Sequence, residues 1–240
     1  MHQTVVGILG GMGPMSTVDL FARIVRATPV SREQDHLRIL IDNNPKIPNR
    51  TEALLSGETE PAVDGLCETA RNLERAGADV IGIPCNTAHA FLGEVRASVA
   101  IPVLDMIDEA ARSARQLLGQ GAVVGVLASE GTIDTGLYDK ALDRYGLRAA
   151  VPGPEAQAAV SEVIHEVKLR DVSPGCMEKL AEPIAHLTEQ GASGLIPGCT
   201  EISLVFSHHP PELPWLDPLQ TLAEALVTEA TESPARSMGS

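Results

Sequence analysis

Two cysteines stand where a thiol can do chemistry. Cys85 closes the run Gly77-Ala78-Asp79-Val80-Ile81-Gly82-Ile83-Pro84 and is followed by Asn86-Thr87-Ala88-His89. Cys199 closes Gly191-Ala192-Ser193-Gly194-Leu195-Ile196-Pro197-Gly198 and is followed by Thr200-Glu201. In both places a short apolar run of strand character delivers a thiol to small polar residues. Open α/β sheets bind ligands beyond the carboxyl ends of their strands. A thiol that opens a helix is also shifted toward thiolate by the helix's positive end. The two thiols are therefore read as facing each other across one small substrate. Cys67 and Cys176 lack this setting, and a free cysteine otherwise behaves as a small buried hydrophobe. Cys67 shares a helical face with Val63, Leu66, Ala70 and Leu73.

The elements that must position these thiols come in two matched sets. Val6-Gly7-Ile8-Leu9 is echoed by Val124-Gly125-Val126-Leu127, and Ile101-Pro102-Val103-Leu104-Asp105 by Leu213-Pro214-Trp215-Leu216-Asp217. With the two cysteine runs, this makes three segments repeated in the same order. Two homologous halves follow, each near the size of a compact domain.

Periodicity and punctuation predict strands at 5–9, 37–42, 77–84, 103–106, 123–127, 147–151 and 191–198. Helices are predicted from about 16 onward and over 61–76, 87–98, 107–118, 132–145, 156–169, 174–190, 200–207 and 218–231. Gly10-Gly11-Met12-Gly13-Pro14 reads as a turn into the first helix, and 43–51 as a polar loop. Residues 233–240 read as a frayed tail. Alternating strands and helices mean α/β with parallel sheets. A chain with only three Phe, two Tyr and one Trp must build its core from Ala, Val, Leu and Ile, which suits such sheets.

A formal charge of −14 repels nucleic acid and anionic membrane surfaces, so neither is expected as a partner. An anionic substrate would then need a locally basic pocket. Met1-His2-Gln3-Thr4 leads straight into a strand pattern without the marks of a signal peptide, and no apolar run reaches membrane-spanning length. A cytoplasmic location is expected, with all four cysteines as thiols.

Familiar cofactor motifs fail on spacing. The glycine turn has Ser16 at the third fingerprint position, and Pro14 removes an amide that a phosphate cradle would use. The turn can still offer amides to a carboxylate. No Cys-x-x-Cys or His-Glu-x-x-His is present, so no metal is expected, and nothing signals a Schiff-base lysine for pyridoxal phosphate. Arg50, in the irregular loop, and Lys168, at the end of a predicted helix, are the candidate anion anchors. A lysine at a helix carboxyl end is equally an ordinary cap.

Gly10-Gly11-Met12-Gly13-Pro14-x-x-Thr17, Cys85-Asn86-Thr87-Ala88-His89 and Gly198-Cys199-Thr200-Glu201 together resemble the aspartate/glutamate racemase family, in its aspartate racemase branch. Pro48-Asn49-Arg50-Thr51 and the Lys168 helix extend the resemblance over essentially the whole chain. Ser16, where the family often has alanine, is the mildest departure. The resemblance implies two similar α/β domains with the active site in the cleft between them, a homodimer, and no metal or cofactor. It also implies that the carboxyl-terminal segment returns to the first domain, giving 1–100 plus 213–240 and 101–212.

Carried over residue by residue, the resemblance makes Cys85 and Cys199 the acid/base pair. It makes Asn86, Thr87 and Thr200 donors to the substrate's α-carboxylate and amino group. Met12 and Thr132 fall at the pocket wall, Arg50 and Lys168 near the substrate carboxylates, and His89 in a supporting role. The implied activity is interconversion of the L and D forms of aspartate or glutamate, a small dicarboxylic amino acid. One thiolate takes the α-proton from one face and the opposite thiol returns a proton to the other, each about 3 to 3.5 Å from the α-carbon. The alternatives are a maleate-type isomerase using one cysteine as nucleophile, a racemase of another amino acid, or a dicarboxylate sensor with no use for two thiols.

Overall fold

The computed structural model describes residues 4–169 and 172–232; the tail expected at 233–240 lies outside them. The first half runs β1 (Val6–Gly10), α1 (Pro14–Ala27), β2 (Ile39–Asn43), α2 (Arg50–Ser56), α3 (Glu60–Arg75), β3 (Val80–Gly82), α4 (Leu92–Ala97) and α5 (Met106–Leu118). The second runs β4 (Val123–Ala128), α6 (Glu130–Asp134), α7 (Leu137–Arg144), β5 (Arg148–Ala150), α8 (Pro154–Leu169), α9 (Pro174–Glu189), β6 (Ala192–Gly198), α10 (Thr200–His208) and α11 (Pro218–Glu232). Each half holds a three-stranded parallel sheet, ordered β2-β1-β3 in one and β5-β4-β6 in the other. This is the α/β architecture with two similar domains that the echo predicts.

The repeat is visible at the level of single hydrogen bonds. In the first half, Ile81 N–H donates to Pro102 O and Leu104 N–H to Ile81 O, both at 2.9 Å. In the second, Leu195 N–H donates to Pro214 O and Leu216 N–H to Leu195 O, again at 2.9 Å. The strand expected at 103–106 is thus a single parallel bridge, Ile81 to Val103, matched by Leu195 to Trp215. It stops early because Pro102 has no N–H to continue a ladder and α5 begins at Met106.

Contacts divide the chain into one unit of Met1–Asn49, Glu58–Met106 and Leu219–Ser240, and another of Arg50–Gly57 and Ile107–Pro218. Residues 213–218 stay with the second unit, where 214–216 are bonded to β6. In the first unit, the core joins Val6, Ile8 and Val80 of the sheet to Leu20 and Ile24 of α1 and to Leu219, Leu222 and Leu226 of α11. A Cβ at Gly82 would stand 2.6 Å from Leu226 Cδ1, so a larger residue there would require Leu226 to shift. In the second unit, Leu127 and Leu195 pack under Val160, Val163 and Ile164 of α8 and Leu180 and Leu187 of α9.

Three local expectations change. Residues 50 and 51, expected at the end of the loop, instead open α2, which packs on α6. The helix expected over 132–145 is broken into α6 and α7 by Gly136, whose φ of +61° is left-handed. The helix expected over 87–98 opens with a 3-10 turn, Thr87–Phe91, before α4.

The glycine turn after β1 is tightly held. Gly11 has φ +98°, and a Cβ there would lie 2.3 Å from the Asn44 carbonyl carbon. Gly119 has a comparable φ of +86° with nothing within 4 Å. Gly119→Ala should therefore cost about 1 to 2 kcal/mol from backbone strain alone. Gly11→Ala, which must also displace backbone, should cost roughly 3 kcal/mol or more. Urea unfolding of the two variants checks the difference.

Candidate active site

In the first unit the site is assembled at the carboxyl edge of the β1–β3 pair. Ile8 is in register with Gly82, so the glycine turn and Cys85 leave the same edge a few residues further on. Cys85, Asn86 and Thr87 are all buried, as is Met12. The Gly11 amide does not await an anion, because it donates to Thr17 Oγ1 at 2.9 Å.

His89 ties this edge together. Met106 N–H donates to His89 Nε2 at 3.1 Å, so the neutral ring carries its proton on Nδ1, which donates to Cys85 O at 2.8 Å. One side chain thereby fixes the cysteine turn and the start of α5. Burial pushes the imidazole below its ordinary pKa, against the pull of the nearby Asp105 carboxylate. The 3-10 turn that follows Cys85 is five residues long, so no α-helix opens at this thiol as had been expected.

In the second unit Ala128 is in register with Gly198, which sets Ser129 beside Cys199 at the ends of adjacent strands. Cys199 is the N-cap residue of α10. Its Sγ donates to Glu201 Oε2 at 2.8 Å, and Thr200 Oγ1 donates to the same oxygen at 3.3 Å. All three residues are buried. Thr132 is buried within 3.1 Å of Ser129 Oγ, and Thr51 Oγ1 donates to Ser129 Oγ at 3.4 Å. Gln157, from α8, donates through Nε2 to Ala128 O at 2.9 Å and braces the same strand end.

The structure thus gathers Thr132, Cys199 and Thr200 at one sheet edge of the second unit. Arg50, half-buried at the start of α2, comes to that unit through Thr51 and not through the first half that precedes it in sequence. Lys168 is exposed at the carboxyl end of α8. Cys67 and Cys176 are packed in helices α3 and α9. An open hollow bordered by Asp139, Lys140, Asp143 and Arg148 is lined by none of these residues. Among the described residues no three of His, Cys, Asp and Glu gather as a metal site would need.

Two residues were missed as participants. Ser129 occupies, in the repeat, the place of the glycine turn, and that correspondence was the available signal. Glu201 stands inside the Gly198-Cys199-Thr200-Glu201 motif, and the signal there was a carboxylate in the first turn of a helix that buries Ile202, Val205 and Phe206.

Residues 9–226 match the model of the family described as Asp/Glu/Hydantoin racemase. The chain belongs to that family. It is 27% identical over 231 residues to the broad specificity amino-acid racemase RacX of Bacillus subtilis, covering 93% of this chain and 96% of that one. It is also similar to the solved structure of Picrophilus torridus aspartate racemase, with TM-score 0.82 and 31% identity over 95% of this chain and 94% of that one. Francisella tularensis glutamate racemase, at 18% identity, shares the fold, with TM-score 0.71 over 96% of this chain and 81% of that one. Membership of the racemase family makes this protein an isomerase acting on small amino-acid substrates. No helix among the described residues is long and apolar enough to cross a membrane.

The His89 brace has a measurable signature. The unfolded chain takes up the imidazole proton below about pH 6.5, whereas the folded racemase resists it, so this contribution to stability is complete above that pH and declines as pH falls below it. Between about pH 7 and pH 5 the parent should lose stability faster than His89→Gln, by at most ~1.4 kcal/mol per pH unit. Urea unfolding at several pH values checks this, and equal slopes would show that the ring takes no part.

Proposed function

We propose that this enzyme interconverts the L and D forms of aspartate, glutamate or both, with Cys85 and Cys199 as a two-base pair and no cofactor. The observation that carries the reading is the repeat. Each half of a racemase-family chain follows its last sheet strand with a buried thiol next to small hydrogen-bonding residues. Removing a proton from one face of a carbon and returning one to the other needs two such groups, and general acid–base catalysis of this kind is worth about 10²- to 10⁴-fold each.

The chemistry assigns each neighbour a task. A thiolate takes the α-proton while the opposite thiol gives one, and negative charge builds on the α-carboxylate between those events. Amides and hydroxyls of Asn86, Thr87 and Thr200 are the donors that would stabilise it. Arg50 supplies the cation that a chain of charge −14 needs to hold a dianion, with the planar fork that suits a carboxylate. Lys168 is the weaker anchor, since its exposed position also fits a helix cap. Met12 and Thr132 line the pocket.

A second reading, racemisation of other amino acids, is favoured by one observation: a relative matched over nearly its whole length is named a broad specificity racemase. The resemblance also carries a homodimer into the proposal. The exposed Met15, Val18 and Phe21 of α1 are apolar surface that a second copy would cover. Light scattering that returned the mass of one chain would remove that part of the reading.

Incubation with L-aspartate, L-glutamate and a panel of neutral amino acids, without added cofactor and in the presence of a strong chelator, should yield the D form of an acidic amino acid first on a chiral column. Cys85→Ala and Cys199→Ala should each lower the rate by ~10²-fold or more, while Cys67→Ala and Cys176→Ala retain it. Full turnover by either of the first two variants would sink the two-thiol assignment.

Arg50→Ala should weaken aspartate at least about tenfold more than a neutral amino acid, the loss of a charge-assisted bidentate contact. Equal losses in KM for both would confine Arg50 to structure or to the shared α-carboxylate.

A further inference from the structure

Matched as they are in backbone, the two halves differ in chemistry beside the thiols. Two residues after Cys85 stands Thr87, whereas two after Cys199 stands Glu201. Glu201 is only 7% exposed, which sets it apart from the solvated acids that commonly complement a helix amino terminus. Its Oε2 accepts from Cys199 Sγ at 2.8 Å and from Thr200 Oγ1 at 3.3 Å. An ionised carboxylate has acceptors only, so the thiol hydrogen lies between sulfur and oxygen. Sulfur is the donor in this contact, so that hydrogen belongs to Sγ.

We propose that Glu201 is a positioning residue that keeps Cys199 in its thiol form in the resting enzyme, so that the two cysteines enter the reaction as an unequal pair. Cys199 is the ready proton donor, and Cys85 is the thiol that waits as base. This rests on the racemase reading above. In the direction that starts from this resting form the α-proton passes to the Cys85 thiolate, giving Cys85 S–H, and the Cys199 proton passes to the opposite face of the carbon, leaving a Cys199 thiolate. Transfer of one proton from Cys85 to Cys199 through solvent restores the starting state, with no net change in the enzyme.

Other groups in the second unit also bear on Cys199, among them the Arg50 cation, whose neighbour Thr51 reaches Ser129 at 3.4 Å and which favours thiolate. The amino end of α10 favours thiolate, but it amounts to roughly half an elementary charge spread over the first turn, against a full charge at hydrogen-bond distance. Apolar side chains of α8, α9 and β6, among them Val160, Ile164, Leu180 and Leu195, share a core cluster with Cys199. The cations of those helices stand off from that cluster: His165 and Lys168 are exposed, His186 is half-exposed, and Lys179 is held by Glu162 and Glu166.

The enantiomers are equal in energy in solution, so kcat/KM is the same in both directions whatever Glu201 does. The inequality must be read on the thiols. Parent, Glu201→Gln and Glu201→Asp proteins are treated with iodoacetamide from about pH 6 to pH 9.5, and alkylation of each cysteine is followed by peptide mass mapping. Glu201→Gln keeps shape and removes charge, so the Cys199 profile should move down by about one pH unit, a roughly tenfold faster reaction near neutrality. Cys85 should be unchanged, and Glu201→Asp should keep Cys199 suppressed. A Cys199 profile that does not move in Glu201→Gln, or that moves together with Cys85, overturns the proposal. A parent inactive on every amino acid would count against the racemase reading alone, because the alkylation profiles decide the Glu201 effect without turnover.

Discussion

The parallel pairing of each half's first strand with its cysteine strand is the constraint on which the rest depends. β1 and β4 are buried along their whole length, so every residue they contribute is committed to packing. Polar chemistry can begin only where the pairing ends. The register of Ala128 with Gly198 therefore decides that Ser129 and Cys199 emerge together, and that of Ile8 with Gly82 does the same for the glycine turn and Cys85.

Around these strand ends the protein uses different side chains in equivalent places. Four residues after Cys85, His89 bridges the cysteine carbonyl to the start of α5. Four residues after Cys199, Ser203 donates its hydroxyl to Asp217 at 3.1 Å, and Asp217 is the counterpart of Asp105 beside His89. Both arrangements lock the turn behind the thiol onto the segment bridged to the cysteine strand. The backbone repeat is thereby kept while the charge next to each thiol is free to differ, and Glu201 is where it does.

Burial also sets the energetic scale of the site. A buried carboxylate without donors would be costly, so Glu201 is tolerable only because Cys199 and Thr200 hydrogens reach it. The same reasoning explains why His89 is held neutral with both ring nitrogens engaged. Neither residue can be removed from its partners without leaving a polar group stranded in a dry place.

The sequence by itself determined the fold class, the two-fold echo and the placing of two thiols just after strands, because strand-length apolar runs ending in Gly, Pro and Cys are local patterns with local causes. It also marked Cys67 as a packing residue from helical spacing alone. Only the tertiary structure decided that Arg50 begins a helix packed with the second unit and that Lys168 is exposed. The broken helix at Gly136, the single bridge at Val103 and the 3-10 turn after Cys85 were likewise hidden. Each of these depends on a partner distant in sequence or on a glycine whose φ no periodicity reports. The Cys199–Glu201 contact was hidden for a different reason. The residues are neighbours in sequence, yet whether a carboxylate two positions into a helix turns back to the thiol or out to water is a matter of side-chain rotamer and burial, which no sequence pattern reports.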